Sequence, residues 1–143
     1  MGTGPGLLDA EPEAAPLRVV IAKVGLDGHE VGARVVAQGL VECGFDVVYL
    51  GLRRTPEQVA RAALEEDAAA VGISVLSGAH LALLPKVREA LDAQGLRDVL
   101  LIAGGIIPDA DVPVLEAAGI DAVFHPGTPV PEIAAYVRAN ARV

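Results

Sequence analysis

Short apolar runs alternate with amphipathic stretches from residue 17 to the C-terminus. Residues 17–22 are apolar and rich in β-branched side chains, which predicts a buried strand. Val31, Val35, Val36, Leu40 and Val41 then recur at helical spacing, and Gly44 is placed to end that helix as a C′ glycine. Residues 45–50 read as a second strand. Thr55-Pro56-Glu57-Gln58 opens a second helix, with Thr as N-cap, Pro at the first helical position and Gln at the third. Val59, Ala62, Ala63 and Leu64 give this helix its inner face. Residues 69–74 are the third strand. A turn of small and polar residues leads from Ser74 to His80 and into a helix over 81–94, closed by Gly95, with Pro85 in its first turn. Residues 99–103 form the fourth strand, stopped by Gly104-Gly105. Asp109 or Asp111 can cap a fourth helix that ends at Gly119. Residues 121–124 are the fifth strand, 125–129 a loop and 131–141 the last helix.

Strands that are apolar throughout, alternating with helices, imply an α/β fold: a parallel sheet covered on both faces and joined by right-handed crossovers. Five strands in one domain favour the flavodoxin-like (Rossmann-like) order 2-1-3-4-5. The 52% hydrophobic content and mean hydropathy of +0.48 suffice for a full core. Aromatics are only 3%, and small aliphatics suit close helix–sheet layers. Residues 1–16 carry Gly, Pro and acids without a basic or long apolar segment, so they read as a disordered N-terminal tail before a domain over 17–143. A net charge of −8 argues against nucleic acid as a partner. No apolar run is long enough for a membrane span. The single cysteine, Cys43, fits a reducing, cytoplasmic setting and the apolar face of a helix.

In an open parallel sheet, ligands sit beyond the carboxyl ends of the strands, near the switch in strand order. The first strand is followed by Lys23-Val24-Gly25-Leu26-Asp27-Gly28-His29-Glu30-Val31-Gly32. The third is followed by Ser74-Val75-Leu76-Ser77-Gly78-Ala79-His80, the fourth by Gly104-Gly105-Ile106-Ile107-Pro108, and the fifth by His125-Pro126-Gly127-Thr128. All four loops fall on one edge. Glycine there admits close approach of a flat or extended ligand, and the hydroxyls of Ser74, Ser77 and Thr128 can donate to ring nitrogens or ribose oxygens. Asp27 beside His29 supplies the anionic neighbour that an imidazole uses in base catalysis or metal ligation.

Each residue also has an ordinary structural reading. His29 alone would be a helix-start histidine, Lys23 a solvated strand end, and Ser74 a turn residue satisfying backbone. Gly104-Gly105 alone would be a tight turn, His80 a helix N-terminal residue, His125 a strand cap and Cys43 a small core hydrophobe. Several site classes are absent: there is no GxGxxG after strand one, no P-loop and no zinc-like spacing. A response-regulator receiver would share the fold but needs paired acids after strand one and an Asp where this chain has Ser74.

The combination Asp27-x-His29-x-x-Gly32, Ser74-x-Leu76 and Gly104-Gly105 resembles the signature of base-off, histidine-on cobalamin-binding domains. The resemblance runs from Arg18 to Arg138. The surrounding residues, among them Ala22-Lys23-Val24-Gly25-Leu26, Thr55-Pro56-Glu57-Gln58, Ser77-Gly78-Ala79-His80 and Gly104-Gly105-Ile106-Ile107-Pro108, are similar to the acyl-CoA mutase branch. That branch includes the isobutyryl-CoA, 2-hydroxyisobutyryl-CoA and methylmalonyl-CoA mutases.

The resemblance implies that His29 is the lower axial ligand of cobalt and the one metal ligand. Asp27 would accept the other ring N–H of His29, and Lys23 would pair with Asp27. It implies a slot between strands one and three for the displaced nucleotide tail. Ser74 would bond the benzimidazole, Leu76 and Ser77 would line the slot, and Gly25, Gly28, Gly32, Gly104 and Gly105 would give it room. Gly127 and Thr128 would close it. The cofactor would be adenosylcobalamin and the reaction an intramolecular transfer, the radical isomerisation of a short branched acyl-CoA. The catalytic groups would lie on a separate large subunit with a substrate-binding barrel, because this chain supplies only the lower face of the corrin. The rival expectations are a corrinoid carrier for methyl transfer, which usually has a helical cap before the fold, a glutamate-mutase-type subunit, and a stand-alone cobalamin-binding or signalling module.

Overall fold

The computed structural model describes residues 16–24, 31–75 and 78–141. The expected tail over 1–16 therefore lies almost wholly outside the described residues. The strands are β1 (Arg18–Val24), β2 (Asp46–Arg54), β3 (Ala70–Ser74), β4 (Leu100–Gly104) and β5 (Ala122–Phe124). They form one parallel sheet in the order β2-β1-β3-β4-β5. The helices are α1 (Val31–Glu42), α2 (Pro56–Glu65), α3 (His80–Ala93), α4 (Val112–Ala117) and α5 (Val130–Asn140), with one 3-10 turn at Asp109–Asp111 before α4.

Alternation along the strands sends side chains to two cores. Val20, Ala22, Val71, Ile73, Leu101 and Ala103 face α2, α3 and α4, where they meet Val59, Leu84, Leu91 and Leu115. Val19, Ile21, Ala70, Leu100 and Ile102 face α1 and α5, where they meet Ala33, Leu40, Ile133 and Val137. None of the described helices is long and apolar enough to cross a membrane.

The start of α2 follows its sequence signal. Thr55 Oγ1 accepts from the Gln58 N–H at 3.1 Å, and Gln58 Oε1 accepts from the Thr55 N–H at 2.9 Å. Gly44, at φ +97°, ends α1 in the left-handed region that glycine enters without strain.

Elsewhere tertiary context overrides periodicity. Val35 and Val41 of α1 are exposed, and its inward positions are Ala33, Ala37 and Leu40. In α2, Ala60 is buried in place of Leu64, which is exposed. β2 continues through Arg54, beyond the apolar run, because its paired neighbour β1 continues to Val24. α3 starts at His80, so Pro85 is its sixth residue and stands in the second turn rather than the first. Asp111 makes no side-chain cap to α4, because its carboxylate bonds His80 instead. Cys43 lies just beyond α1 and is only partly buried against the α1–α5 core.

Candidate functional site

The carboxyl ends of the strands are in step. Lys23 pairs with Ser74, Ser74 with Gly104, and Gly104 with Phe124. Two residues deeper, Ile21 pairs with Gly72, Gly72 with Ile102, and Ile102 with Ala122. Both rows face α1 and α5, since residues two apart on a strand share a face. A cavity of about 520 Å3 lies between this face and the two helices. Ile21, Gly72 and Ile102 form its floor, Val35, Val36 and Ile133 its walls, and Ser74, His125 and Thr128 the polar part of its lining. The slot thus reaches across β1, β3, β4 and β5, wider than the expected space between the first and third strands. A hollow of similar size on the outside of α1 and α5, near Gln38, Glu42 and Pro131, shares Val35 and Val130 with this cavity but none of its strand residues.

Four glycines shape this space in different ways. A Cβ on Gly72 would stand 2.8 Å from Ile21 Cδ1, so glycine keeps the floor low. Among the described residues, a Cβ on Gly32 would meet nothing within 4 Å, and one on Gly104 would meet only the Phe124 carbonyl oxygen at 3.8 Å. The fold itself does not require glycine at either place, and both line the cavity. Gly105 is different: it has φ +139°, and its Cβ would stand 2.4 Å from the Val75 carbonyl oxygen.

The polar groups are few. Lys23 is 4% exposed, and its Nζ donates to Ser74 Oγ at 3.1 Å. Thr128 Oγ1 donates to the His125 carbonyl at 2.7 Å, and the Thr128 N–H reaches the same oxygen at 3.2 Å. The Thr128 hydroxyl proton is thereby committed to its own loop, contrary to the expectation that it donates to a ligand, and what it retains is acceptor capacity. Gly127, at φ +88°, makes this turn possible.

Lys23, Gly32, Ser74, Gly104, Gly105, Gly127 and Thr128 are therefore gathered at one edge. Gly25, Asp27, Gly28, His29, Leu76 and Ser77 lie outside the described residues. Among the described residues, no three His, Cys, Asp or Glu side chains cluster as a metal site would need. His80 is buried and faces Asp111, away from the slot, as a structural residue would. His125 lines the slot instead of merely capping β5. Gly72 and Phe124 also escaped the sequence reading. A glycine inside an apolar strand is itself a signal of close approach, and Gly72 carries it.

A family model described as the B12 binding domain matches residues 17–134. The chain belongs to the B12-binding domain family. Over 127 residues it is 43% identical to the small subunit of 2-hydroxyisobutanoyl-CoA mutase from Aquincola tertiaricarbonis, covering 89% of this chain and 93% of that subunit. It is 45% identical over 130 residues to the methylmalonyl-CoA mutase large subunit of Streptomyces virginiae, covering 90% of this chain but 18% of that relative. Among solved structures, a cobalamin-binding protein from Desulfitobacterium hafniense matches with a TM-score of 0.77 at 23% identity, over 90% of this chain and 60% of that one. The signal receiver domain of the response regulator NarL from Mycobacterium tuberculosis matches with a TM-score of 0.66 at 14% identity, over 88% of this chain and 96% of that one. At such identities the structural matches establish the flavodoxin-like fold, which B12-binding domains share with receivers.

Proposed function

We propose that the chain is the cobalamin-binding small subunit of an adenosylcobalamin-dependent acyl-CoA mutase, an isomerase whose large subunit binds the acyl-CoA. The observation that carries this reading is the slot under α1 and α5. Its floor is apolar, and it is walled in part by Gly32 and Gly104, where open space serves no need of the fold. A flat aromatic base fits such a space, and its volume lies within the roughly 300–1,000 Å3 common for small-ligand pockets. The base of cobalamin's nucleotide tail is such a group.

In this reading Ser74 donates its hydroxyl proton to a ring nitrogen of the base. Lys23 supports the geometry, because an ammonium group only donates and so leaves that proton available. Gly105 and Gly127 shape the mouth and Thr128 closes it. Leu76 and Ser77 follow directly from Val75 and extend the lining. His29 would hold the cobalt of the cofactor, and Asp27 would accept its other ring N–H and fix the tautomer. Gly25 and Gly28 would admit close approach of the cofactor to the backbone of that stretch, and Lys23 would also pair with Asp27. When bound, adenosylcobalamin supplies the radical chemistry of the carbon-skeleton rearrangement. This chain binds the lower face, orients the tail and keeps water from the slot.

The substrate and the upper face of the cofactor fall to the large subunit and its barrel. Ile106, 71% exposed just beyond Gly105, supplies apolar surface for that contact. The match to 93% of a small subunit supports the split arrangement. Its setting is the cytoplasm, where a lone Cys43 stays reduced.

The test mixes the full chain with adenosylcobalamin, with and without a candidate large subunit. The absorption spectrum of the complex should be base-off, and acyl-CoA isomerisation should need both chains. A base-on spectrum in the complex, or His29→Ala with binding and activity intact, would sink the axial-ligand assignment.

A further inference from the structure

We infer that His125 is a binding residue of this slot and takes the phosphodiester of the cofactor's nucleotide tail, an inference that rests on the reading of the slot given above. His125 is the one cavity-lining residue among those described whose side chain is ionisable. The others are apolar, glycine or proline, apart from the hydroxyls of Ser74 and Thr128. Its place is at the mouth. It follows Phe124, which pairs with Gly104 in the outermost row of the sheet. The imidazole is 50% exposed, and its Nε2 faces Asp109 Oδ1 at 3.5 Å. Nδ1 makes no hydrogen bond among the described residues. The backbone beneath the ring is held, because the His125 carbonyl accepts both the N–H and the hydroxyl of Thr128.

The covalent order of the tail decides what this ring meets. The base is joined through ribose to the phosphodiester, which leads back to the corrin. With the base on the floor formed by Ile21, Gly72 and Ile102, the phosphodiester passes the mouth on its way out. It is the only anion in the tail, and no other cation-forming side chain lines the cavity among the described residues. With its ring proton on Nδ1, the imidazole at the rim donates to a phosphate oxygen, and a donor bonded to a charged acceptor is worth more than a neutral pair. Asp109 Oδ1, 3.5 Å from Nε2 on an almost fully exposed carboxylate, stands outside the cavity lining.

The test titrates adenosylcobalamin and adenosylcobinamide, which lacks the phosphodiester and nucleoside, into the full chain alone and with the large subunit. His125→Ala should weaken adenosylcobalamin binding about tenfold. It should leave adenosylcobinamide binding and the base-off spectrum unchanged. His125→Gln, which keeps a donor, should recover most of the loss. The 31P resonance of the bound cofactor should move in His125→Ala. Wild-type affinity in His125→Ala, an equal loss with adenosylcobinamide, or an unmoved 31P resonance would each overturn the assignment while leaving the slot itself intact. A wild-type complex that is base-on would overturn the reading of the slot and this inference with it.

Discussion

Lys23 Nζ stands 3.1 Å from Ser74 Oγ at the last register position that β1 and β3 share. The pair joins the two strands that flank the switch in strand order, where an open parallel sheet places its ligand. A buried ammonium group beside a serine oxygen keeps the hydroxyl proton off the lysine side and so available to an acceptor in the cavity that Ser74 lines.

Removing that hydroxyl tests the relationship directly. Ser74→Ala should weaken adenosylcobalamin binding about tenfold, the value of one well-placed hydrogen bond in a closed site. Stability should fall by no more than ~1 kcal/mol, because Lys23 keeps a further interaction besides Ser74. Spectroscopic titration and a urea melt on the same sample separate the two effects. Unchanged affinity would remove Ser74 from the binding site.

Gly32 and Gly104 make opposite demands on stability and binding. Gly32 is the second residue of α1 and has open space at its Cβ position. Gly32→Ala should therefore stabilise the helix by ~0.5 kcal/mol and raise the melting temperature by about 1–2 °C. The same methyl group would occupy the slot and lower cofactor affinity. Gly104→Ala should be close to neutral in stability and should also weaken binding. If both variants bind adenosylcobalamin as tightly as the wild type, their space is not used by the cofactor.

Gly105→Ala should behave unlike its neighbour. The backbone at φ +139° disfavours any L side chain, and the new Cβ would press on a backbone oxygen that cannot swing aside. A loss of ~2 kcal/mol or more is expected from strain of this kind. Parallel denaturant melts of Gly104→Ala and Gly105→Ala check the contrast, and equal midpoints would contradict it.

The strand order and the edge at which the slot lies were legible because both follow from local patterns: short apolar runs, caps and glycines at strand ends. What was not legible depends on partners far away in the chain. Gly72 matters because Ile21 lies across from it on β1. His125 read as a strand cap because the helices and strands that complete the slot around it are far away in the chain. Val35 read as core because helical periodicity cannot tell a packed face from one that lines a cavity. Thr128 read as a free hydroxyl because its bond to the His125 carbonyl appears only once the turn at Gly127 is formed. The loop holding Asp27 and His29 carries the densest part of the resemblance to the family; its residues lie outside those described, and its role is the proposal that His29→Ala tests.

His80 and Asp111 tie the loop after β3 to the 3-10 turn after β4. His80 is 4% exposed, and its Nδ1 accepts the Gly78 N–H at 3.1 Å. Nε2 must then carry the ring proton, which it donates to Asp111 Oδ2 at 2.7 Å. His80→Ala removes both bonds, empties the space of a buried side chain and leaves a partly buried carboxylate without its partner, at a cost of ~2 kcal/mol. Asp111→Asn keeps an acceptor oxygen for Nε2–H and should cost less, ~1 kcal/mol. Because Gly78 and His80 follow the segment that begins at Ser74, loosening them should also weaken cofactor binding, by less than Ser74→Ala does. Urea midpoints and adenosylcobalamin titrations of the two variants test this ranking. A His80→Ala chain as stable as the wild type would show that the buried pair does not hold the two loops together.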